Sequence, residues 1–565
     1  MSGRAVTRAE PIGWLGSWFL SACGLCIGWW FWPQAMAGDD VAAVAAAIGW
    51  IVAVTRFAAG WERWDVAAAV RQARGRATRS NAGQPSSKFA TRKELKAKGL
   101  LSGKGVFLGI EPESRREISY DFVSELILAG PGAGKSTSCA AQILLRSALD
   151  GAQAESVFAV DVKMELFYVT ASAHRAMGHE VLCICPYADD YNARFPGADP
   201  IVDAGFNPFG FITDRNTVDD MWMVCQLLVP EREGQNSDND FFLSAGRELL
   251  TGLALLLWHR DGDVTLTGLR ALLLSDPETF EAAVAEMMDS TAFHGELARF
   301  GNRIGATYTR SPKEWSGVFG TACDALQPFH ADGALARSTS MRGVDLSTLK
   351  SGEKPVAVYF GVPPERIQNL SGYIALVISL AAELIARDKA HRRVTLLVDE
   401  LQNISRMSTL LRSLALYRQH LRIVMLVQFL AALKRLYGDS YREFLGVDVV
   451  TLFGSTSDVE TLETFSKLSG EATFNQHSVN SDPTLVTDLS TGFTTNMNQG
   501  RRPLLSVGEL RTLGDREQVS LISNLPPVRS HRQSYLDNPR LRVRARHNPY
   551  YRRRGVWERL LKVFL

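Results

Sequence analysis

The chain has 565 residues, room for about two to four domains, and 46% of them are hydrophobic, which excludes a wholly disordered molecule. A formal net charge of +2 excludes a nucleic-acid surface spread over the whole protein, so any such surface is local. The seven cysteines (Cys23, Cys26, Cys139, Cys183, Cys185, Cys225, Cys323) are odd in number and lack metal-ligand spacing, which fits core packing in a reducing compartment rather than a disulfide framework.

Ile12 to Gly38 carries no charged residue, and a second apolar run starts at Val41 and weakens toward Gly60, with Arg56 inside it. A span takes about 20 residues, so two membrane helices, about 12–37 and 41–60, fit with Asp39-Asp40 as their turn. The tryptophans from Trp14 to Trp64 supply interfacial belts, and Arg56 must reach an interface. Arg4 and Arg8 precede the pair; Arg71, Arg74, Arg76, Arg79, Lys88, Arg92 and Lys93 follow it. That bias predicts both termini in the cytoplasm. A cleaved signal peptide is the rival reading, and the second apolar run followed by basic residues fits it poorly. Residues 1–65 thus read as an anchor and 66–105 as a basic linker.

Next, Leu126 to Ala129 reads as a buried strand running into Gly130-Pro131-Gly132-Ala133-Gly134-Lys135-Ser136-Thr137, followed by an apolar-periodic helix. Strand, glycine turn, Gly-Lys-Ser and helix form the arrangement in which backbone N–H groups and a helix N-terminus receive phosphate. Lys135 is placed to reach the β- and γ-phosphates of a nucleoside triphosphate, and Ser136 to ligate Mg2+. Ala129 stands where the motif has its first glycine; that position needs only a small side chain. Ser156 to Asp161 is a further β run, leading into Val162-Lys163-Met164-Glu165, a helix-like stretch and the strand Val181–Cys185. This alternation predicts a parallel sheet flanked by helices, an α/β fold.

From about 213 to 342 the β signal fades and helical spacing dominates (Met221 to Val229, Phe241 to Leu257, Leu266 to Leu274, Pro277 to Met287), as expected for an all-α insertion between the halves 106–212 and 343–538 of one nucleotide-binding domain. Sheet signals return at Pro355 to Phe360. Arg393 to Glu400 is an apolar run closing on Asp-Glu: Asp399 is the candidate magnesium ligand and Glu400 the candidate general base. Ile423 to Gln428 is a third core run. Gln428 either positions water near the γ-phosphate or caps a strand end. Arg418 and Arg422 precede it, and either is a trans arginine finger or a surface charge. Residues 471–500, rich in Asn, Ser, Thr and Asp, read as a loop. The tail 539–565 alternates arginine with apolar residues from Arg540 to Arg546 and ends in an amphipathic turn. It suits nucleic acid, anionic lipid, a partner groove, or docking on the body.

Taken together these pieces resemble the type IV secretion coupling proteins of the TraG/TraD class. The resemblance rests on Gly130 to Ser136, Asp161 to Glu165 with Thr170 to Arg175, Phe206-Asn207-Pro208-Phe209, Asp399-Glu400-Leu401, Gln428 with Tyr437-Gly438, and Arg502 to Leu505 with Glu509-Leu510. Met164 departs from the family's usual Gly, and Leu401 from its common aromatic. The resemblance implies a RecA-like P-loop ATPase using ATP and Mg2+, held in the bacterial inner membrane and working as a homohexamer. It also implies secretion-channel partners, and as substrate a relaxase–DNA complex (the relaxosome) or an effector protein. Two other readings remain at this point: an FtsK-type DNA pump, and a docking receptor that binds nucleotide without hydrolysing it.

Overall fold

The computed structural model describes residues 13–38, 40–57, 86–148, 154–230, 237–454, 456–480 and 494–551. Two compact units emerge, one built from Met1–Ser86 with Thr473–Arg501, the other from Ser87–Ala472 with Arg502–Leu565. The end of the tail, 552–565, and the first half of the linker, 66–85, lie outside the described residues.

In the first unit, the helix Gly13–Met36 is followed by an apolar helix over Asp40–Phe57 that is long and apolar enough to cross a membrane. They pack closely through small residues. Ala42, Ala46 and Ala53 are buried, and a Cβ on Gly28 would meet the Trp50 ring at 2.9 Å. The Ser21 hydroxyl donates to the Ala53 carbonyl at 2.7 Å. Small residues and one internally satisfied hydroxyl are how helices associate in lipid, where apolar burial gives no drive. Phe19, Trp29, Trp30, Val41 and Ile51 stay exposed, as lipid-facing residues do.

The strands are β1 (Val106–Ile110), β2 (Glu117–Tyr120), β3 (Ser124–Leu128), β4 (Ser156–Val160), β5 (Glu180–Ile184), β6 (Val356–Phe360), β7 (Val394–Val398), β8 (Leu421–Val427), β9 (Val449–Phe453), β10 (Glu471–Asn480), β11 (Thr494–Pro503), β12 (Glu517–Ile522) and β13 (Val528–His531). β10 and β11 pair as a separate ribbon, so the stretch expected to be a loop is paired strand across its described part; its backbone finds partners that composition does not reveal. The other eleven form one sheet in the order β2-β1-β13-β12-β9-β3-β8-β7-β4-β6-β5. Neighbours from β9 to β5 run parallel, while β12, β13, β1 and β2 continue the sheet antiparallel. The phosphate-loop strand β3 sits inside the parallel part, between β9 and β8.

Side chains alternate across each strand, so β3 and β4 feed two cores. Leu126, Leu128, Phe158 and Val160 point into one, shared with the helix Ile367–Arg387 and the helical stretch after β5. Ile127, Ala129, Val157 and Ala159 point into the other, with Ile143, Leu144, Phe167 and Val169. Burial on both faces is why these strands are apolar throughout. Between β5 and β6 every described regular element is a helix, and its core residues Met221, Leu250, Leu253 and Leu297 belong to the same cluster as the sheet face. Asp240–Asp261 and Pro364–Arg387 match a membrane span by length and hydropathy, but about two-thirds of each is packed inside this core.

Candidate nucleotide site

All the strand ends that matter here are carboxyl ends, where open α/β sheets bind ligands. Leaving β3, the chain turns through Gly132 at φ +72° and Gly134 at φ +81°, left-handed values that glycine adopts without strain. A Cβ at Gly132 would meet nothing within 4 Å, so the loop is open above that glycine. Ser136–Ala140 is a wide helical turn that continues as the helix Ala141–Ser147. Ala129 is fully buried and its N–H donates to the Val427 carbonyl at 3.0 Å, which explains why alanine serves at that position.

Lys135 is buried and its Nζ donates to the Ala129 carbonyl at 3.2 Å, folded back over its own loop. Burial lowers its pKa, while the nearby Asp399 and Glu400 carboxylates raise it. Asp399, at the end of β7, has a sealed Oδ1 with no hydrogen-bond partner. Burial first, then the Glu400 charge, pushes its pKa up to about 6 against the pull of Lys135 and Lys163. Glu400 takes a left-handed backbone at φ +57°, a strained state for a non-glycine residue. Its carboxylate accepts from Asn403 at 3.0 Å and Gln428 at 3.4 Å, and lies 3.9 Å from Lys163. One cavity of about 350 Å³ is lined by Gly130 to Thr137, Asp161, Lys163, Glu165, Asp399, Glu400, Gln428 and Tyr551. A larger cavity, about 620 Å³, lies between Leu228–Pro230, Asn369–Tyr373 and Arg406 and contains none of these groups.

Thus Lys135, Ser136, Asp399, Glu400 and Gln428, far apart in the chain, converge on one cavity. Arg418 does not join them. It precedes β8 at the amino ends of the strands, 3.9 Å from Asp448. Arg422 is buried against Phe122, Asp121 and Glu155, so it is not a surface charge. Lys163 and Tyr551 were not among the expected site residues. Lys163 had a signal, since it follows the apolar run ending in Asp161; Tyr551 had none. Met164, in the family's glycine position, is itself left-handed at φ +54° and buried, its sulfur filling the space beside Gly361.

Glycine turn, buried lysine, and an orphaned carboxylate beside a strained one define a phosphate-loop protein of α/β, RecA-like fold. The chain's family follows from its sequence: residues 76–553 match the family Type IV secretory system Conjugative DNA transfer, and the chain belongs to it. VirD4 of Agrobacterium fabrum is 25% identical over 396 residues, covering 68% of this chain and 56% of that protein. VirD4 of Rhizobium rhizogenes is 24% identical over 395 residues. The chain therefore spans about half the length of the curated relatives it matches. Among solved structures, the unbound form of the bacterial conjugative coupling protein TrwB aligns with a TM-score of 0.58 at 15% identity, over 80% of this chain and 95% of that one. This agrees with the expected coupling-protein resemblance and favours it over the FtsK-type DNA pump.

Proposed function

We propose that the protein is a membrane-anchored ATPase that couples a relaxase–DNA complex or an effector protein to a type IV secretion channel and drives its transfer by ATP hydrolysis. The observation that carries this is the convergence of Lys135, Asp399, Glu400 and Gln428 on the phosphate loop, in a chain of the conjugative-transfer family. TrwB has been solved with ADP and Mg2+ and with a non-hydrolysable ATP analogue, which supports ATP and Mg2+ as the ligands here.

The residues present fit that pair. Ser136 and Asp399 would hold the metal, and the partnerless Oδ1 of Asp399 is the kind of buried acceptor a cation satisfies. Bound there, Mg2+ would neutralise charge on the β- and γ-phosphates. Lys135 leaves the Ala129 carbonyl for the phosphate, where its charge is compensated. The loop amides orient the chain of phosphates. Glu400 takes the proton of the attacking water, and Gln428, which touches the Glu400 carboxylate, holds that water in line.

Our reading of the remaining organisation follows the same logic. The anchor crosses twice with both termini cytoplasmic, 106–212 and 343–538 form the motor, and the helical stretch 213–342 reads substrate. Six copies close a ring with ATP between subunits. Arg418, with its side chain 53% exposed, is the arginine of the two that can reach a neighbour's nucleotide. A transfer assay tests the whole. Lys135→Ala should abolish substrate transfer at unchanged protein level; transfer at the wild-type rate would sink the proposal.

A further inference from the structure

From sequence the C-terminal segment stands apart from the nucleotide site. In the structure, residues 532–551 lie on it. Arg532, just past β13, stacks its guanidinium over the Phe453 ring at 4.7 Å and donates to the Ala133 carbonyl in the middle of the phosphate loop. The Tyr535 N–H donates to the Thr137 carbonyl at 3.1 Å, and the Gln142 amide, on the helix after the loop, donates to the Gln533 carbonyl at 2.6 Å. Further on, the short helix Pro539–Arg544 carries the chain to the opposite rim. There the Arg546 N–H donates to the Val169 carbonyl at 2.9 Å, and the Tyr550 hydroxyl donates to the Lys163 carbonyl at 2.9 Å. Tyr551 then lines the cavity itself.

The contact at Ala133 has a definite consequence. In a planar trans peptide the C=O and the following N–H point in opposite directions. Holding the Ala133 carbonyl outward on Arg532 turns the Gly134 N–H away from Arg532, toward the loop's interior. A phosphate cradle needs its amides in that orientation.

We propose that residues 532–551 brace the nucleotide site, with Arg532 as a positioning residue that orients the Ala133–Gly134 peptide and Tyr551 as a wall of the nucleotide cavity, so that nucleotide binding and docking of the C-terminal segment are linked. This rests on the nucleotide reading above. Linkage is reciprocal: whatever factor the docked brace adds to nucleotide affinity, nucleotide adds to docking.

The test uses the full chain in lipid nanodiscs with a non-hydrolysable ATP analogue and Mg2+. In the wild type, the analogue should slow amide exchange across 532–551. Arg532→Ala should raise the analogue's Kd about tenfold and erase that slowing, with Arg532→Lys recovering part of the loss. Tyr551→Ala, at an exposed position, should raise Kd about threefold without moving the unfolding temperature, and it carries the test if Arg532→Ala does not fold. If the wild type binds the analogue while Arg532→Lys and Tyr551→Ala bind it equally well and exchange over 532–551 is unmoved, the brace is wrong and the nucleotide reading stands. A wild type that binds no nucleotide overturns both.

Discussion

The two ends of the large sheet treat charge in opposite ways. At the amino ends, Arg422 is wrapped by the Phe122 carbonyl, Asp121 and Glu155, and Arg393 joins Asp121 at 2.6 Å. Asp448 there accepts the N–H groups of Val123 at 2.9 Å and Ser124 at 3.2 Å. Burial tends to raise the pKa of Asp121, yet the two arginines hold it below the ordinary carboxylate value. At the carboxyl ends the balance is reversed: Asp399 keeps an orphaned oxygen, Lys135 finds only a carbonyl, and Glu400 sits in a strained backbone. Both ends carry buried charge, so burial alone marks neither. What separates them is satisfaction. The saturated end fixes strand register and the unsaturated end is shaped for a ligand the chain does not supply.

Arg422→Ala breaks this contrast most severely. It strips the charged partner from Glu155, leaving only the Thr395 hydroxyl, and opens a buried site, and should cost about 2–3 kcal/mol of stability. That is below the loss for a fully buried pair, because Asp121 remains in water. Denaturant unfolding measures it; an unchanged midpoint would mean the amino-end network is ornamental. A second prediction concerns acid. Asp399 binds a proton below about pH 6, so divalent-cation affinity should be flat above that value and fall about tenfold per pH unit beneath it. Calorimetric titration of the nucleotide complex with Mn2+ across pH 5–8 checks this; a flat profile would remove Asp399 as ligand. Met164→Gly sets two effects against each other. Glycine relieves about 1–2 kcal/mol of left-handed strain but abandons the packing of a buried side chain, worth about 2–5 kcal/mol, so the two partly cancel and the variant should be less stable, by at most about 4 kcal/mol, not more stable.

The sheet's parallel centre and the site's main residues were legible because each is a local pattern: an apolar run that stops on a chemical group. Asp399 and Gln428 each end such a run, and Lys135 closes the glycine turn that follows one. β9 and the antiparallel strands β1, β2, β12 and β13 end on no such group and gave no such signal. The rest was set by distant contacts. Arg546 and Tyr551 read as part of a basic tail with several possible partners, docking on the body among them, because nothing near them in sequence announces Val169 or the loop. From Arg540 the alternation of arginine with apolar residues masks a helix, which Asn538 caps and Pro539 starts. Arg422 looked available because its partners, Asp121 and Glu155, lie some three hundred residues away in sequence.

The central claim is hydrolysis at the unsatisfied end, and Glu400→Gln tests it most directly. Side by side with the wild type, the purified full-length variant should bind ATP with the same Kd while its turnover falls by about a hundredfold or more, the loss expected when a general base is removed. Turnover at the wild-type rate, with ATP still bound, would contradict the account.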